Sequence, residues 1–225
     1  NHVKNNGIIE IRDNVNESIG MYLNIKGGNN LINDTDGKIL LSGTGNNNSG
    51  MRADIGIINP TNDNNPAGTA VVINRGIINI DTVGASENFA MISNGAGTSA
   101  VNEKTITGTN NEKAVGMYSL KGGTVEQTLT GSINFSGYNS TGFAVQNLST
   151  GKNSGQITIN GLKASGSADL STKALGVYNA GTFTNDGTIK VNGQDSVGVY
   201  AKNALNTELS SLIEVDGVNS VGLFA

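Results

Sequence analysis

A short phrase, apolar-Gly-apolar-Tyr, returns along the whole chain. It reads Ile19-Gly20-Met21-Tyr22, Val115-Gly116-Met117-Tyr118, Leu175-Gly176-Val177-Tyr178 and Val197-Gly198-Val199-Tyr200, with looser copies around Gly50, Ala90, Gly142 and Gly222. Each copy follows a second phrase of the type Asn-x-Gly-x-Ile-x-Val-x-Gly, clearest in Asn185-Asp186-Gly187-Thr188-Ile189-Lys190-Val191-Asn192-Gly193. A two-phrase unit repeated about eight times constrains the chain to a solenoid, because one such unit cannot bury its apolar face alone and stacked neighbours can. The glycine or its substitute falls at 20, 50, 90, 116, 142, 176, 198 and 222, in steps of 30, 40, 26, 26, 34, 22 and 24 residues. The short steps define a unit of 22–26 residues; the long ones are units carrying insertions.

Within each unit apolar residues alternate, as in Ile157 and Ile159 around Thr158, Ile189 and Val191 around Lys190, and Ile213 and Val215 around Glu214. Period two with β-branched residues between Gly and Asn specifies short strands, two or three per unit. A third strand is expected between the phrases, as in Gly123-Thr124-Val125-Glu126 and Gly181-Thr182-Phe183-Thr184. Strands recurring at this period without hairpin turns stack in parallel at roughly 4.8 Å per coil, giving a rod on the order of 40 Å long. The expected fold is all-β, a right-handed parallel β-helix (solenoid) of about eight coils, with residues 1–225 forming one segment. Equivalent slots of the second phrase put Ile8, Ile39, Ile78, Ile133, Ile157, Ile189 and Ile213 in one inward column. The asparagines that open the phrase, Asn5, Asn74, Asn102, Asn153 and Asn185, are spaced to bond one to the next along a corner.

Composition fits a narrow stacked core: aromatic residues make up 4%, Trp is absent, and Gly supplies 32 residues suited to tight corners. With no Cys there is no disulfide, thiolate nucleophile or Cys-based metal site. A formal charge of −4 with scattered Lys and Arg argues against nucleic acid as a partner. No apolar run approaches the ~18 residues of a membrane span. The chain begins without Met and stops inside its last repeat copy, so the expectation is a piece of a longer array.

The search for chemistry is largely negative. His2 is the sole histidine, which leaves no Ser-His-Asp triad and no multi-His metal site. Asp34 with Asp36, and Glu214 with Asp216, stand at the i, i+2 spacing that puts two carboxylates on one strand face. The first pair lies in Asn33-Asp34-Thr35-Asp36-Gly37, a turn composition without the downstream Glu of a calcium loop. Solvated charge is the better reading of both pairs. Asn94-Gly95-Ala96-Gly97-Thr98 is glycine-rich, but no Lys or helix start follows it, so it reads as a corner and not a phosphate cradle. No catalytic residue, metal ligand or cofactor is expected.

Two features stand above the core pattern. The first is the Tyr column, Tyr22, Tyr118, Tyr178 and Tyr200, with Phe224 in the same slot and Arg52, Ile92 and Ala144 interrupting it. Alternation puts Val197 and Val199 on one face and Gly198 and Tyr200 on the other, so an inward Val face turns the rings outward over a shallow Gly-floored groove. Exposed rings can stack on sugar rings or on a partner's aromatic side chains, and they can equally brace the rod. The second is a pair of insertions near 59–68 and 162–171. The first holds both prolines and Asn62, Asp63, Asn64 and Asn65, and cannot join a strand ladder. Loops extruded from a rigid solenoid are a common place for recognition.

The alternation of Asn-x-Gly-x-Ile-x-Val-x-Gly with Ser-Val-Gly-Val-Tyr-Ala at 185–201 resembles the passenger regions of large autotransporter adhesins of fusobacteria. The Asn, Lys and Ile richness and the three arginines, Arg12, Arg52 and Arg75, fit an AT-rich genome. The resemblance covers the whole chain and implies type V secretion: a passenger of stacked coils anchored in the outer membrane by a C-terminal barrel outside this segment and exposed at the cell surface. It further implies a non-catalytic adhesin contacting a surface protein or glycan of another bacterium or a host cell. Three alternatives remain: a polysaccharide lyase or hydrolase on a β-helix, a phage tail-spike-like β-helix, and a purely structural stalk.

Overall fold

The computed structural model describes residues 2–24, 30–55, 69–83, 87–162, 172–202 and 207–225. Among these, 24 strands and no helix occur, and the strands come in triplets, one strand per side of a three-sided coil. The first triplet is β1 (His2–Asn5), β2 (Ile8–Ile11) and β3 (Ile19–Asn24); the last is β22 (Thr207–Leu209), β23 (Ile213–Asp216) and β24 (Val221–Phe224). Every third strand pairs in parallel with its counterpart in the next coil, so three sheets form, each eight strands deep. From first rung to last the path makes about seven turns. We call the sheets A (from β1 to β22), B (from β2 to β23) and C (from β3 to β24). The second phrase forms sheet B, the Gly-Tyr phrase forms sheet C, and the segments between them, such as β13 (Thr124–Gln127) and β19 (Thr182–Asn185), supply the third side as expected.

The core runs along the axis as stacked columns. Ile39, Ile78, Ile106, Ile133, Ile157 and Ile189 follow one another in sheet B, all fully buried. Two assignments change. Ile8 pairs with Lys38 and is 63% exposed, while Ile9 pairs with Ile39 and takes the inward slot. Residues Ile8 and Ile9 are both apolar, and the parity of the strand, fixed by Ile11 facing the core, selects the second. Ile106 joins the column although Lys104 replaces the phrase glycine before it. On sheet C all four methionines, Met21, Met51, Met91 and Met117, occupy one column that continues through Phe143, Val177 and Val199. Unbranched Met adapts to the irregular gaps between larger neighbours. Further along, Gly151 leaves room for Phe143 and Phe183, whose rings meet edge-on at 5.8 Å; a Cβ on Gly151 would lie 3.1 Å from Phe183.

The corner after sheet A carries a continuous amide ladder. Side-chain amides donate in sequence from Asn5 to Asn33 (2.9 Å), Asn33 to Asn74 (2.8 Å), Asn74 to Asn102 (2.9 Å), Asn102 to Gln127 (3.0 Å), Gln127 to Asn153 (2.8 Å) and Asn153 to Asn185 (2.7 Å). The five asparagines read from sequence are all rungs. Asn33 and Gln127 complete the series, hidden in sequence because two extra residues separate each from its phrase glycine. The ladder ends at Leu209, opposite Asn185.

The corner before sheet C repeats a different device. Glu17, Asn47, Lys113, Asn139, Lys173, Asp195 and Asn219, each three residues before the sheet-C glycine, hold φ between 48° and 57°. Asn and Asp tolerate the left-handed region better than Glu or Lys, so at Glu17, Lys113 and Lys173 the turn geometry is imposed by stacking and outweighs local preference.

Candidate functional site

All four candidate tyrosines fall in one register column on sheet C. The pairing runs Tyr22 to Arg52, Arg52 to Ile92, Ile92 to Tyr118, Tyr118 to Ala144, Ala144 to Tyr178, Tyr178 to Tyr200 and Tyr200 to Phe224. The rings do not form one ladder. Tyr178 and Tyr200 stack at 5.7 Å and 6°, and Tyr200 stacks on Phe224 at 5.2 Å and 8°. Tyr118 turns instead to Phe89, at 5.2 Å and 21°. Tyr22 stands apart and half exposed, beside the ion pair of Arg52 with Asp54 (2.9 Å), which Asn94 also donates to. Burial and the Asp54 carboxylate raise the Tyr22 phenol above its ordinary value, and Arg52 opposes them. Asn62, Asp63, Asn64 and Asn65, like the rest of the 59–68 insertion, lie outside the described residues. Of the 162–171 insertion only Leu162 is described, and it is exposed.

Simple alternation misplaces the neighbours of the rings. Gly198 and Val199 are both buried, whereas Val197 and Tyr200 are partly exposed, and the same two-residue break in alternation appears in the sheet-C strands Thr141–Val145 and Leu175–Asn179. The reason is the glycine. A Cβ on Gly198 would sit 2.7 Å from the Ile213 methyl of the next coil, and Gly116, Gly142 and Gly176 would meet Ile133, Ile157 and Ile189 at 2.9, 2.6 and 2.6 Å. The missing side chain lets each sheet-B isoleucine press against the sheet-C backbone. The two phrases of the repeat are therefore two halves of one contact. Ala90 alone carries a side chain in this slot, fully buried.

The break presents two outward columns, not one. Phe89, Ile92 and Val115 form an apolar cluster separate from the core, and Tyr118, Leu120 and Ala144 pack on it. Beyond it, Leu175, Tyr178, Val197 and Tyr200 line a shallow groove of about 380 Å³ with Lys173, Asp195 and Lys202 at its margin. Between these two apolar stretches the fifth coil displays Thr141 and Ala144 in place of the larger side chains above and below. A cleft of about 260 Å³ opens there, walled by Phe89, Tyr118, Leu175 and Tyr178 and edged by Glu87, Thr141 and Gln146. Burial, chiefly, and the Glu87 carboxylate raise the Tyr118 phenol, while its hydrogen bond with Gln146 works the other way.

Of the four carboxylates flagged in sequence, one of each pair, Asp34 and Glu214, is held by a lysine of the neighbouring coil. Lys4 donates to Asp34 at 2.9 Å, and with the backbone N–H of Thr35 keeps that carboxyl below its ordinary value. Lys190 donates to Glu214 at 2.8 Å. Among the described residues no group of three or more His, Asp or Glu is arranged to hold a metal ion. The 94–98 run forms the corner between β9 (Asn88–Asn94) and β10 (Thr98–Asn102), with Gly95 and Gly97 at φ 112° and 82°.

No curated protein and no solved structure matches the chain. A family model described as the BigA third pectate lyase-like domain matches residues 126–209, from sheet A of the fifth coil to sheet A of the eighth. That stretch, a little over a third of the chain, contains the cleft's Thr141, Ala144 and Gln146 together with Tyr178 and Tyr200, and in it the chain is similar to a pectate lyase-like domain.

Proposed function

We propose that this chain is a non-catalytic segment of a cell-surface passenger that attaches its bacterium to other bacteria or to host cells, and that the outer face of sheet C makes the contact. The observation that carries this reading is the in-register stack of Tyr178, Tyr200 and Phe224 beside Leu175 and Val197 on the outside of a parallel sheet. Flat rings with a hydroxyl at one end give large contact area at small entropic cost, which suits a lateral adhesive surface. The similarity of 126–209 to a pectate lyase-like domain supports a passenger-like β-helix, and the repeat phrases support a fusobacterial-type autotransporter whose C-terminal barrel anchors the rod in the outer membrane. The partner is a surface protein or glycan.

The pectate lyase-like description favours a second reading, cleavage of an acidic polysaccharide. Against it, Asp34 and Glu214 are each neutralised by a lysine. Incubation with polygalacturonate that released unsaturated sugar ends would establish the enzymatic reading.

Attachment of bacterial and host cells to the immobilised segment tests the proposal. The Tyr178→Ala/Tyr200→Ala pair should reduce attachment more than either single change, with unaltered circular dichroism, because contact spread over a ladder is lost in steps. Deletion of 59–68 reports separately on the loop. Equal attachment by all variants would leave the segment a stalk.

A further inference from the structure

The cleft at the fifth coil has the dimensions of one missing ring. Tyr118 and Tyr178 pair with Ala144 from either side, so their strands are two spacings apart, about 10 Å at roughly 4.8 Å each. Where the ladder is complete, successive rings stand 5.7 and 5.2 Å apart. One flat ring inserted over Ala144 would thus lie at stacking distance from both walls. The flanking rings leave the space open, because Tyr118 leans on Phe89 and Tyr178 on Tyr200.

The lining of the gap identifies the ring. The same coil that omits the aromatic side chain replaces the neighbouring Val or Leu by Thr141 and adds Gln146 to the lining, which Glu87 shares. A hydroxyl, an amide and a carboxylate supply donors and acceptors around an otherwise apolar slot. A phenyl side chain of a partner protein would leave the Glu87 carboxylate and the Thr141 hydroxyl unmatched, whereas Gln146 already bonds the Tyr118 hydroxyl. A pyranose presents axial C–H bonds to the electron-rich faces of two tyrosines and hydroxyls at its rim to Glu87, Thr141 and Gln146.

We propose that the cleft over Ala144 is a monosaccharide-sized subsite in which a pyranose ring is held between Tyr118 and Tyr178. This deepens the adhesive reading of sheet C and rests on it: the slot would be where that face recognises a glycan.

The test is saturation-transfer NMR on the segment with methyl α- and β-pyranosides of glucose, galactose and N-acetylhexosamines, and with p-cresol as the surrogate for a protein ring. At least one pyranoside should receive saturation at its ring C–H protons. Ala144→Tyr, which completes the ladder with the residue its neighbours already use, should weaken that binding at least tenfold. Gln146→Ala should weaken it several-fold. Should Ala144→Tyr fold poorly by circular dichroism, Tyr178→Leu, which removes one wall, takes its place. Binding of p-cresol without any pyranoside, no binding of either, or pyranoside binding that survives filling of the slot would each overturn the proposal. Cell attachment that is lost in Tyr178→Ala/Tyr200→Ala but kept in Ala144→Tyr would overturn the slot and leave the adhesive face standing.

Discussion

Removing one rung from the middle of the amide ladder should cost far more than removing one from its end. Asn153 is fully buried; it donates to Asn185 at 2.7 Å, accepts from Gln127 at 2.8 Å and accepts from the N–H of Gly155 at 3.2 Å. In Asn153→Ala the Gln127 amide keeps the carbonyl of Gln156 at 3.1 Å, but Asn185 Oδ1 and the Gly155 N–H lose their side-chain partner inside the rod. Two buried groups left unsatisfied at about 1–3 kcal/mol each give a loss of about 4 kcal/mol. Asn5, half-buried at the start of the ladder, donates to Asn33, and its loss should cost about 1 kcal/mol. Urea unfolding followed by far-ultraviolet circular dichroism reads the difference: at an m-value of about 2 kcal/mol/M the midpoint should fall by about 2 M for Asn153→Ala. Since each coil contacts only its neighbours, the defect should also broaden the transition as the two halves uncouple. A loss below about 1 kcal/mol, or one equal to that of Asn5→Ala, would refute the idea that the ladder is an energetic spine.

Gly176→Val should destabilise by about 3 kcal/mol, because its Cβ would lie 2.4 Å from the Gly198 carbonyl and 2.6 Å from Ile189, whereas Ala90→Gly in the equivalent slot should cost under about 1 kcal/mol; thermal melts compare them. Lys113→Gly should raise the melting temperature by about 2–4 °C, and Lys113→Val should lower it, since φ at this residue is 53°. Asp81 accepts from Asn79, from the N–H and hydroxyl of Thr109 and from the N–H of Asn110; burial opposes its ionisation, yet these bonds hold its carboxyl below the ordinary value. A depressed folded-state value means stability fully present above the unfolded value of about 3.9 and lost as pH falls through the folded one, so acid melts should steepen below about pH 4 and Asp81→Asn should flatten that slope.

Most of the architecture was legible because the repeat writes its own stacking rule. Ile157 and Ile189 occupy the slots the phrase assigns, and Asn153 and Asn185 bond as their spacing requires. Legibility failed where two residues competed for one role or where a length changed. Ile8 and Ile9 are equally apolar, and the parity set by Ile11, with the pairing of Ile9 to Ile39, separates them. Gln127 performs the work of Asn with one more methylene and a shifted glycine. The outer face of sheet C was half legible. The Tyr column appeared from the phrase, but period two put Val197 inside, and the contact between Gly198 and Ile213 that turns it outward joins residues of different strands in different coils. The cleft over Ala144 was visible in sequence only as an interruption; its walls, Phe89 with Tyr118 and Leu175 with Tyr178, needed the register to be seen.

The absence of cysteine allows the adhesive face to be located by shielding. Thr141, Thr150 and Gln156 lie on three successive strands, β15 (Thr141–Val145), β16 (Thr150–Asn153) and β17 (Gln156–Asn160), on sheets C, A and B. A single cysteine at each, coupled to a polyethylene glycol chain, covers one side of the rod at the same height. Attachment of cells to the three conjugates should be abolished for Thr141→Cys and unchanged for Thr150→Cys and Gln156→Cys; loss on sheet A or B with retention on sheet C would contradict the account.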